Sequence, residues 1–481
     1  MPTIPAGAHA VHPLLSRRQL FAASAGALVL AGCVRQQPAA TVLPRYNIDD
    51  LFSSSPFYIA HRGSGDNWTE HTAEAYANAI DAGVKAIEVS TVPTKDGVFV
   101  CHHDRDTARL TGVPGEIEQM TYDQVAELRT DARAWLGPST PLLPIPKLTD
   151  ILDAHVASHV LFIEDKTGKN TALLLDVLSA YPNARQHVII KMPGESAKAA
   201  RECRERGYQV WGYFAEIDEE TFTKSVPLLD YLGIYHRAPD DVISRVVAAG
   251  KPVICWEVHQ RWMRDRLTGL GVQGMMCSNI LYVAFPDAPA ATDKFTSGSR
   301  TPGDLPYPLV WTAQPQILPA RASLRFEQGH KVVYQMGSMA ELPSEELSIS
   351  FQMRWPGKPQ DEDCAGLAFA QGSDRPVADG APSDGYAVLV YPVGRIVLLK
   401  LGPDGSSVPL DEAPATRSYR GRWMKVSARM AAGVVTVTVI GHDGGESSVS
   451  AQDTQYRGGH FSLWKAYKAA EPLEFRSVQR S

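Results

Sequence analysis

The chain has 481 residues, more than one ordinary core holds, so two folded domains are the first expectation. Hydrophobic residues make up 44% and charged residues 21%, a globular composition, and a net charge of −6 does not suggest a nucleic-acid binder, which would carry a basic stripe. Beyond residue 40 no apolar run reaches the roughly 20 residues that span a bilayer.

The first residues read as an address. Ser16 precedes Arg17 and Arg18, with Leu20 and Phe21 following. The apolar run Phe21 to Leu30 is too short for a membrane span but right for a signal sequence, and it closes on Leu30-Ala31-Gly32-Cys33. The pattern resembles a twin-arginine export signal, with Leu20 and Phe21 in swapped order, joined to a lipobox over residues 1–33. The resemblance implies a lipidated Cys33, membrane contact through that anchor, and a place in the bacterial cell envelope, periplasm or outer membrane. Residues 34–55 read as a tether. The other cysteines, Cys101, Cys203, Cys255, Cys277 and Cys364, show no paired or metal-type spacing. Cys101, Cys255 and Cys277 lie in apolar strand-like runs and are expected to be buried free thiols.

Over residues 56–285 short apolar runs alternate with amphipathic ones. Strands are predicted at Phe57–Ala60, Ala86–Val92, Val160–Ile163, His187–Ile190, Gln209–Gly212, Tyr231–Tyr235, Pro252–Trp256 and Gly274–Cys277. Helices are predicted between most of them, for example Ala73–Ala82, Leu173–Ala180, Ala197–Arg206 and Val242–Ala249. Eight strands with intervening helices point to an α/β (β/α)8 TIM barrel, and no glycine-rich fingerprint follows the first strand to favour a dinucleotide fold. In such a barrel the strands' C-terminal ends form the active site. Those ends carry His61-Arg62-Gly63, Glu88 and Ser90, Glu164-Asp165-Lys166, Lys191, His236 and Trp256-Glu257, with His102-His103-Asp104 after a small insertion. Glu88 and Ser90, two apart, share a strand face. Arginine suits a phosphodiester anion, paired carboxylates suit a hard cation, and two histidines can supply base and acid.

These residues match a family in order: Ala60-His61-Arg62-Gly63, Thr69-Glu70-His71-Thr72, Ile87-Glu88, Thr94-Lys95-Asp96-Gly97, His103-Asp104, Ile145-Pro146-Lys147-Leu148 and Ile163-Glu164-Asp165-Lys166. The barrel half resembles the glycerophosphodiester phosphodiesterases. That resemblance implies hydrolysis of glycerophosphodiesters to an alcohol and glycerol 3-phosphate with a divalent metal, Ca²⁺ or Mg²⁺. It assigns His61 and His103 as the acid–base pair, Arg62 and Lys166 to the phosphate, and Glu88, Glu164 and Glu70 to the metal. Three departures stand out. Ser90 replaces the Asp of the family's Glu-x-Asp and is at most a weak ligand; Ser278-Asn279 replaces Thr-Asp; and Thr69-Glu70-His71 replaces Pro-Glu-Asn. His71, His102 and Glu257 read as solvated surface side chains, with compensation at the site as the alternative.

Residues 286–306 shift to Pro, Ala, Ser, Thr and Gly and read as a linker. Residues 307–481 change period. Strands are predicted at Leu347–Trp355, Tyr386–Tyr391, Arg395–Leu401, Trp423–Met430, Val434–Ile440, Phe461–Trp464 and Leu473–Val478, with hairpin turns at Asp404-Gly405, Ala432-Gly433, Asp443-Gly444 and Gly458-Gly459. The order Gly385-Tyr386, Arg422-Trp423, Gly459–Trp464 and Phe475 resembles a concanavalin A-like jelly-roll sandwich, which implies a possible carbohydrate partner. Trp355, Tyr391, Trp423 and Trp464 are its stacking candidates, with burial in the core as the alternative. Two other readings of the whole stay open: a cyclising lyase of the sphingomyelinase D type, and a non-catalytic barrel serving the sandwich.

Overall fold

The computed structural model describes residues 45–285, 290–307, 315–327, 333–335, 346–375, 384–418, 420–465 and 471–481. The export signal, Cys33 and the start of the tether lie outside the described residues.

Eight parallel strands close into a barrel. They are β1 (Phe57–Ala60), β2 (Ala86–Pro93), β3 (Val160–Asp165), β4 (Val188–Pro193), β5 (Gln209–Phe214), β6 (Tyr231–Tyr235), β7 (Val253–Val258) and β8 (Gly274–Cys277). Each pairs with its neighbour in sequence, and β1 pairs with both β8 and β2, which closes the ring. The predicted strands all exist, three with the predicted bounds and the rest within a few residues. The predicted helices appear as Ala73–Asp81, Thr171–Ser179, Ala197–Glu205 and Asp240–Val247.

Alternation along the strands sorts the side chains into two layers. Ile87, Val89, Leu161, Ile163, Val188, Ile190, Val210, Leu232, Ile234 and Cys255 face the helices in one core. Ile59, Ala86, Val160, Phe162, Ile189, Trp211, Ile254 and Met276 fill a second, inner core. Trp211 fits there because Gly233 has no side chain; a Cβ at Gly233 would lie 2.6 Å from the indole. The tether is shorter than predicted. Asn47 caps a helix, Ile48–Phe52, whose Ile48 and Leu51 join the inner core, and Phe52 stacks on Tyr231 at 4.2 Å. Cys101, Cys203, Cys255 and Cys277 are buried free thiols, as the sequence suggested for three of them.

The C-terminal half is two seven-stranded antiparallel sheets sharing one apolar core. The seven predicted strands are present. Ala365–Gln371, Ser407–Pro414 and Glu446–Gln452 are among those the sequence did not show. Of the stacking candidates, Trp355 is core. Trp423 carries Arg354 and Arg476 over its ring, and Tyr391 carries Arg395. The described part of the predicted linker is folded: Phe295 is fully buried in the sheet core, and Thr301 and Asp304 are buried too.

Both halves belong to one compact unit, and Asp374 ties them. Its carboxylate accepts the N–H groups of Arg261 and Trp262 and the Tyr282 hydroxyl. A residue of the β half thus caps the barrel helix Arg261–Gly269, whose own preceding residue, Gln260, makes no side-chain cap. Among the described residues no helix is long and apolar enough to cross a membrane.

Candidate active site

The inward stripe that forms the inner core turns polar at the strands' C-terminal ends. On β2 it runs Ala86, Glu88, Ser90; on β3, Phe162, Glu164; on β4, Ile189, Lys191; on β5, Trp211, Tyr213. The pleat therefore delivers these side chains to one mouth.

β1 ends in a single tight turn, His61–Gly63. Arg62 holds a left-handed backbone, φ 56°, and Gly63 has φ +75°. A Cβ on Gly63 would lie 2.9 Å from that of Ala75, so the glycine is required twice over. The turn points the Arg62 N–H at Glu88 Oε2, 2.9 Å away. The Arg62 side chain reaches Glu70 at 3.3 Å.

Each predicted catalytic histidine is held through Nδ1. His103 Nδ1 is 2.9 Å from Asp104 Oδ1. Asp104 is braced by Arg109 at 2.5 Å, and Arg109 grips Glu70 at 2.7 Å. A carboxylate only accepts, so Nδ1 carries the hydrogen and Nε2 keeps its lone pair. His61 Nδ1 is 3.0 Å from Ser278 Oγ, whose hydroxyl donates to Glu257 Oε2 at 3.3 Å. The same logic leaves Nε2 of His61 as the open acceptor. Behind Glu257, His259 approaches it at 3.4 Å and pairs with Asp66 at 2.6 Å.

Burial and then the Arg62 charge push His61 down to about 3. Burial and Arg62 also lower His103, with the Asp104 hydrogen bond opposing them. Both rings are therefore neutral in the free site. His259 behaves oppositely: burial would lower it, but Asp66 and Glu257 raise it to about 10 and keep it cationic. Burial would raise Glu70, yet Arg62 and Arg109 hold it well below the usual carboxylate range.

The expected metal set does not assemble. Glu70 is fully buried and engaged by two guanidinium groups, Arg62 and Arg109. Between Glu88 and Glu164 lies the ammonium of Lys191, 2.7 Å from the first and 2.9 Å from the second. The Ser90 hydroxyl donates to Glu88 Oε1 at 2.8 Å. Glu164 also accepts from the Tyr213 hydroxyl at 2.7 Å, with Lys166 Nζ at 3.3 Å. Burial would raise both acids, but Lys191 foremost holds each below its ordinary value. Among the described residues no group of three His, Cys, Asp or Glu side chains is disposed to hold a metal ion. As arranged, these donors do not fit Ca²⁺ or Mg²⁺, which need several oxygen lone pairs facing one point.

The reading of His71 and His102 as solvated also fails. Both are buried; His71 bonds the Tyr76 hydroxyl at 2.7 Å and His102 the Asp104 carbonyl at 2.8 Å. Glu257 is only partly exposed and is the hinge between His61, Ser278 and His259. The sequence reading passed over Arg109, Tyr213, Asp66 and His259. Position just past β7 was the only available signal for His259. Tyr213 could have been found by alternation from Trp211.

The description Glycerophosphoryl diester phosphodiesterase family is matched by residues 61–281, His61 to Leu281, a span that contains the histidines and acids described at this mouth. The chain is 32% identical over 228 residues to the "Putative glycerophosphodiester phosphodiesterase YhdW" of Bacillus subtilis (strain 168). That match covers 46% of this chain and 93% of YhdW, and the chain belongs to this family. It is 37% identical over 125 residues to the "Probable glycerophosphodiester phosphodiesterase 1" of Mycobacterium tuberculosis, covering 24% of this chain and 45% of that one. The chain thus spans just under half the length of the first curated relatives it matches. A solved phosphodiesterase of Oleispira antarctica, in complex with the product sn-glycerol-3-phosphate, aligns at 18% identity and a TM-score of 0.40, covering 47% of this chain and 95% of that chain.

Proposed function

We propose that the barrel cleaves glycerophosphodiesters to an alcohol and glycerol 3-phosphate, with His61 and His103 exchanging the protons. The observation that carries this reading is the matched pair of histidines. Each is fixed through Nδ1 with Nε2 open, and each feels the Arg62 and Lys191 charges. Arg62 Nε is buried and without a partner, a donor left over for a phosphate oxygen.

The substrate's free glycerol hydroxyl attacks phosphorus, and Nε2 of one histidine takes its proton. The bond from phosphorus to the alcohol oxygen breaks, and that oxygen takes a proton from the other histidine. Water then opens the resulting cyclic phosphate with the two roles exchanged, giving glycerol 3-phosphate. The incoming anion offsets Arg62 and Lys166, which raises the histidines and lets one hold the proton an acid needs.

The test uses the full chain with Cys33→Ser, incubated with glycerophosphocholine and with an aryl phosphodiester. Release of choline and glycerol 3-phosphate is the expected result. A cyclic phosphate as final product would make the protein a lyase, and a folded protein inert on every diester would leave a binding barrel.

The proposal extends to location and to the β half. Lipidation at Cys33 would hold the enzyme on the cell envelope; Cys33→Ala should release it from the membrane fraction, and retention would refute the anchor. A concanavalin A-like sandwich would offer half-buried Trp464 or Trp423 to carbohydrate. Unretarded migration through polysaccharide gels would remove that role.

A further inference from the structure

We propose that Lys191 replaces the divalent cation in this barrel: its ammonium balances Glu88 and Glu164, and the phosphodiester site works without a resident metal. The inference deepens the reading above and rests on it.

The two carboxylates are largely engaged from within the chain. A carboxylate offers about four lone-pair directions. Glu88 accepts from Lys191 at 2.7 Å, from Ser90 at 2.8 Å and from the Arg62 N–H at 2.9 Å. Glu164 faces Tyr213 at 2.7 Å, Lys191 at 2.9 Å and Lys166 at 3.3 Å. A divalent ion between them would have to evict a buried ammonium first.

The surroundings of Lys191 suit an ammonium and not a metal. Its Nζ lies 5.9 Å from the Trp211 ring and 5.7 Å from the Tyr213 ring, both on β5. Aromatic faces attract a cation but supply no ligand oxygen. Lys191 is 7% exposed and Glu88 and Ser90 are fully buried, so water cannot supply what is missing at the back of the site.

The charges agree. Glu88 and Glu164 are matched one for one by Lys191 and Lys166. A divalent ion added to this set would leave two uncompensated positive charges. Ser90 completes the argument, because a third acid on β2 would leave the ammonium-filled site one negative charge in excess. Serine beside an internal lysine and aspartate beside a metal are two solutions to one balance. Lys191 is therefore a positioning residue that fixes Glu88, and through it the Arg62 backbone. Phosphate contact falls to Arg62 and Lys166.

The experiment uses the full chain with Cys33→Ser, stripped with EDTA and desalted. Calorimetric titration with Ca²⁺ and with Mg²⁺ should show no binding, and turnover of glycerophosphocholine should be the same with EDTA as with either ion. Ser90→Asp with Lys191→Ala should convert the site: three carboxylates would face one point, stoichiometric Ca²⁺ or Mg²⁺ binding should appear, and any turnover should be lost on adding EDTA. Stoichiometric metal binding by the parent protein, or loss of its turnover in EDTA, overturns the inference and leaves the phosphodiesterase reading standing. A parent protein that binds no metal yet cleaves no diester upholds the ammonium site and removes the activity instead. If the double variant does not fold, the parent titration still decides.

Discussion

Two places in the molecule bury a carboxylate among cations, and they differ in what else is present. On one sheet of the β half Glu474 is fully buried and accepts from Arg354 at 2.6 and 2.8 Å and from Arg321 at 3.0 Å. Arg354 and Arg476 lie over Trp423 at 4.4 and 4.0 Å. In the barrel Glu88 is just as buried, and its partner is Lys191. In the arginine cluster the side-chain partners of Glu474 are guanidinium groups. The barrel mouth adds two imidazoles held neutral, each with an open nitrogen. Buried charge pairing is thus common to a brace and to a candidate reaction centre. The neighbouring group that can gain and lose a proton separates them.

The comparison breaks most visibly at the histidines. His61→Ala or His103→Ala should lower kcat/KM by about 10²–10⁴-fold, with circular dichroism unchanged. Full activity in both would reduce the barrel mouth to a second brace. The converse change is Glu474→Gln. A wholly buried pair that loses one partner costs about 3–5 kcal/mol. Arg321 is half exposed, with 53% of its side chain accessible, so the discounted expectation is about 1–3 kcal/mol. Urea unfolding measures it, and turnover should stay at the parent value. A smaller effect attaches to Asp374→Ala, which uncaps the Arg261–Gly269 helix and strips Tyr282 of its acceptor. About 1–2 kcal/mol is expected, read as a lower thermal midpoint. An unchanged midpoint would mean water replaces the cap at no cost.

Much of the barrel was legible because its physics is local and repetitive. A buried parallel strand is a short apolar run, and eight of them in rhythm leave few alternatives. His61, Arg62 and His103 were legible because a glycine turn and strand ends fix them by position. The missed strands of the β half lack that signal. Ala365–Gln371 is buried throughout but built of small residues, while Ser407–Pro414 and Glu446–Gln452 are edge strands, one with two prolines and both largely polar. Lys191 was seen at a strand end, but its partner was not. Which charge fills a space between two acids depends on strands whose paired residues are 27 and 74 apart in sequence, and alternation alone does not order them around a ring. Ser90 was the one local hint, a missing negative charge that called for a smaller positive one.

The finest test concerns which histidine begins as base. The base must be neutral, so its working form is lost as pH falls through its pKa. The acid must be protonated, so its form is lost as pH rises through its own. Burial and Arg62 hold both histidines below the ordinary 6.5. The free-enzyme profile, kcat/KM against pH, should therefore peak below 6.5. A peak at or above that value would contradict the neutral pair. Glu257 lies 3.8 Å from His61 Nδ1, and its charge favours the protonated ring. Glu257→Gln should lower His61 further and leave His103 where it is. If His61 is the base, the acid limb alone moves to lower pH and the optimum broadens. If His61 is the acid, fewer molecules hold its protonated ring beside a neutral His103, and the maximum itself falls. Movement of neither limb would show that Glu257 braces Ser278 without tuning the ring beside it.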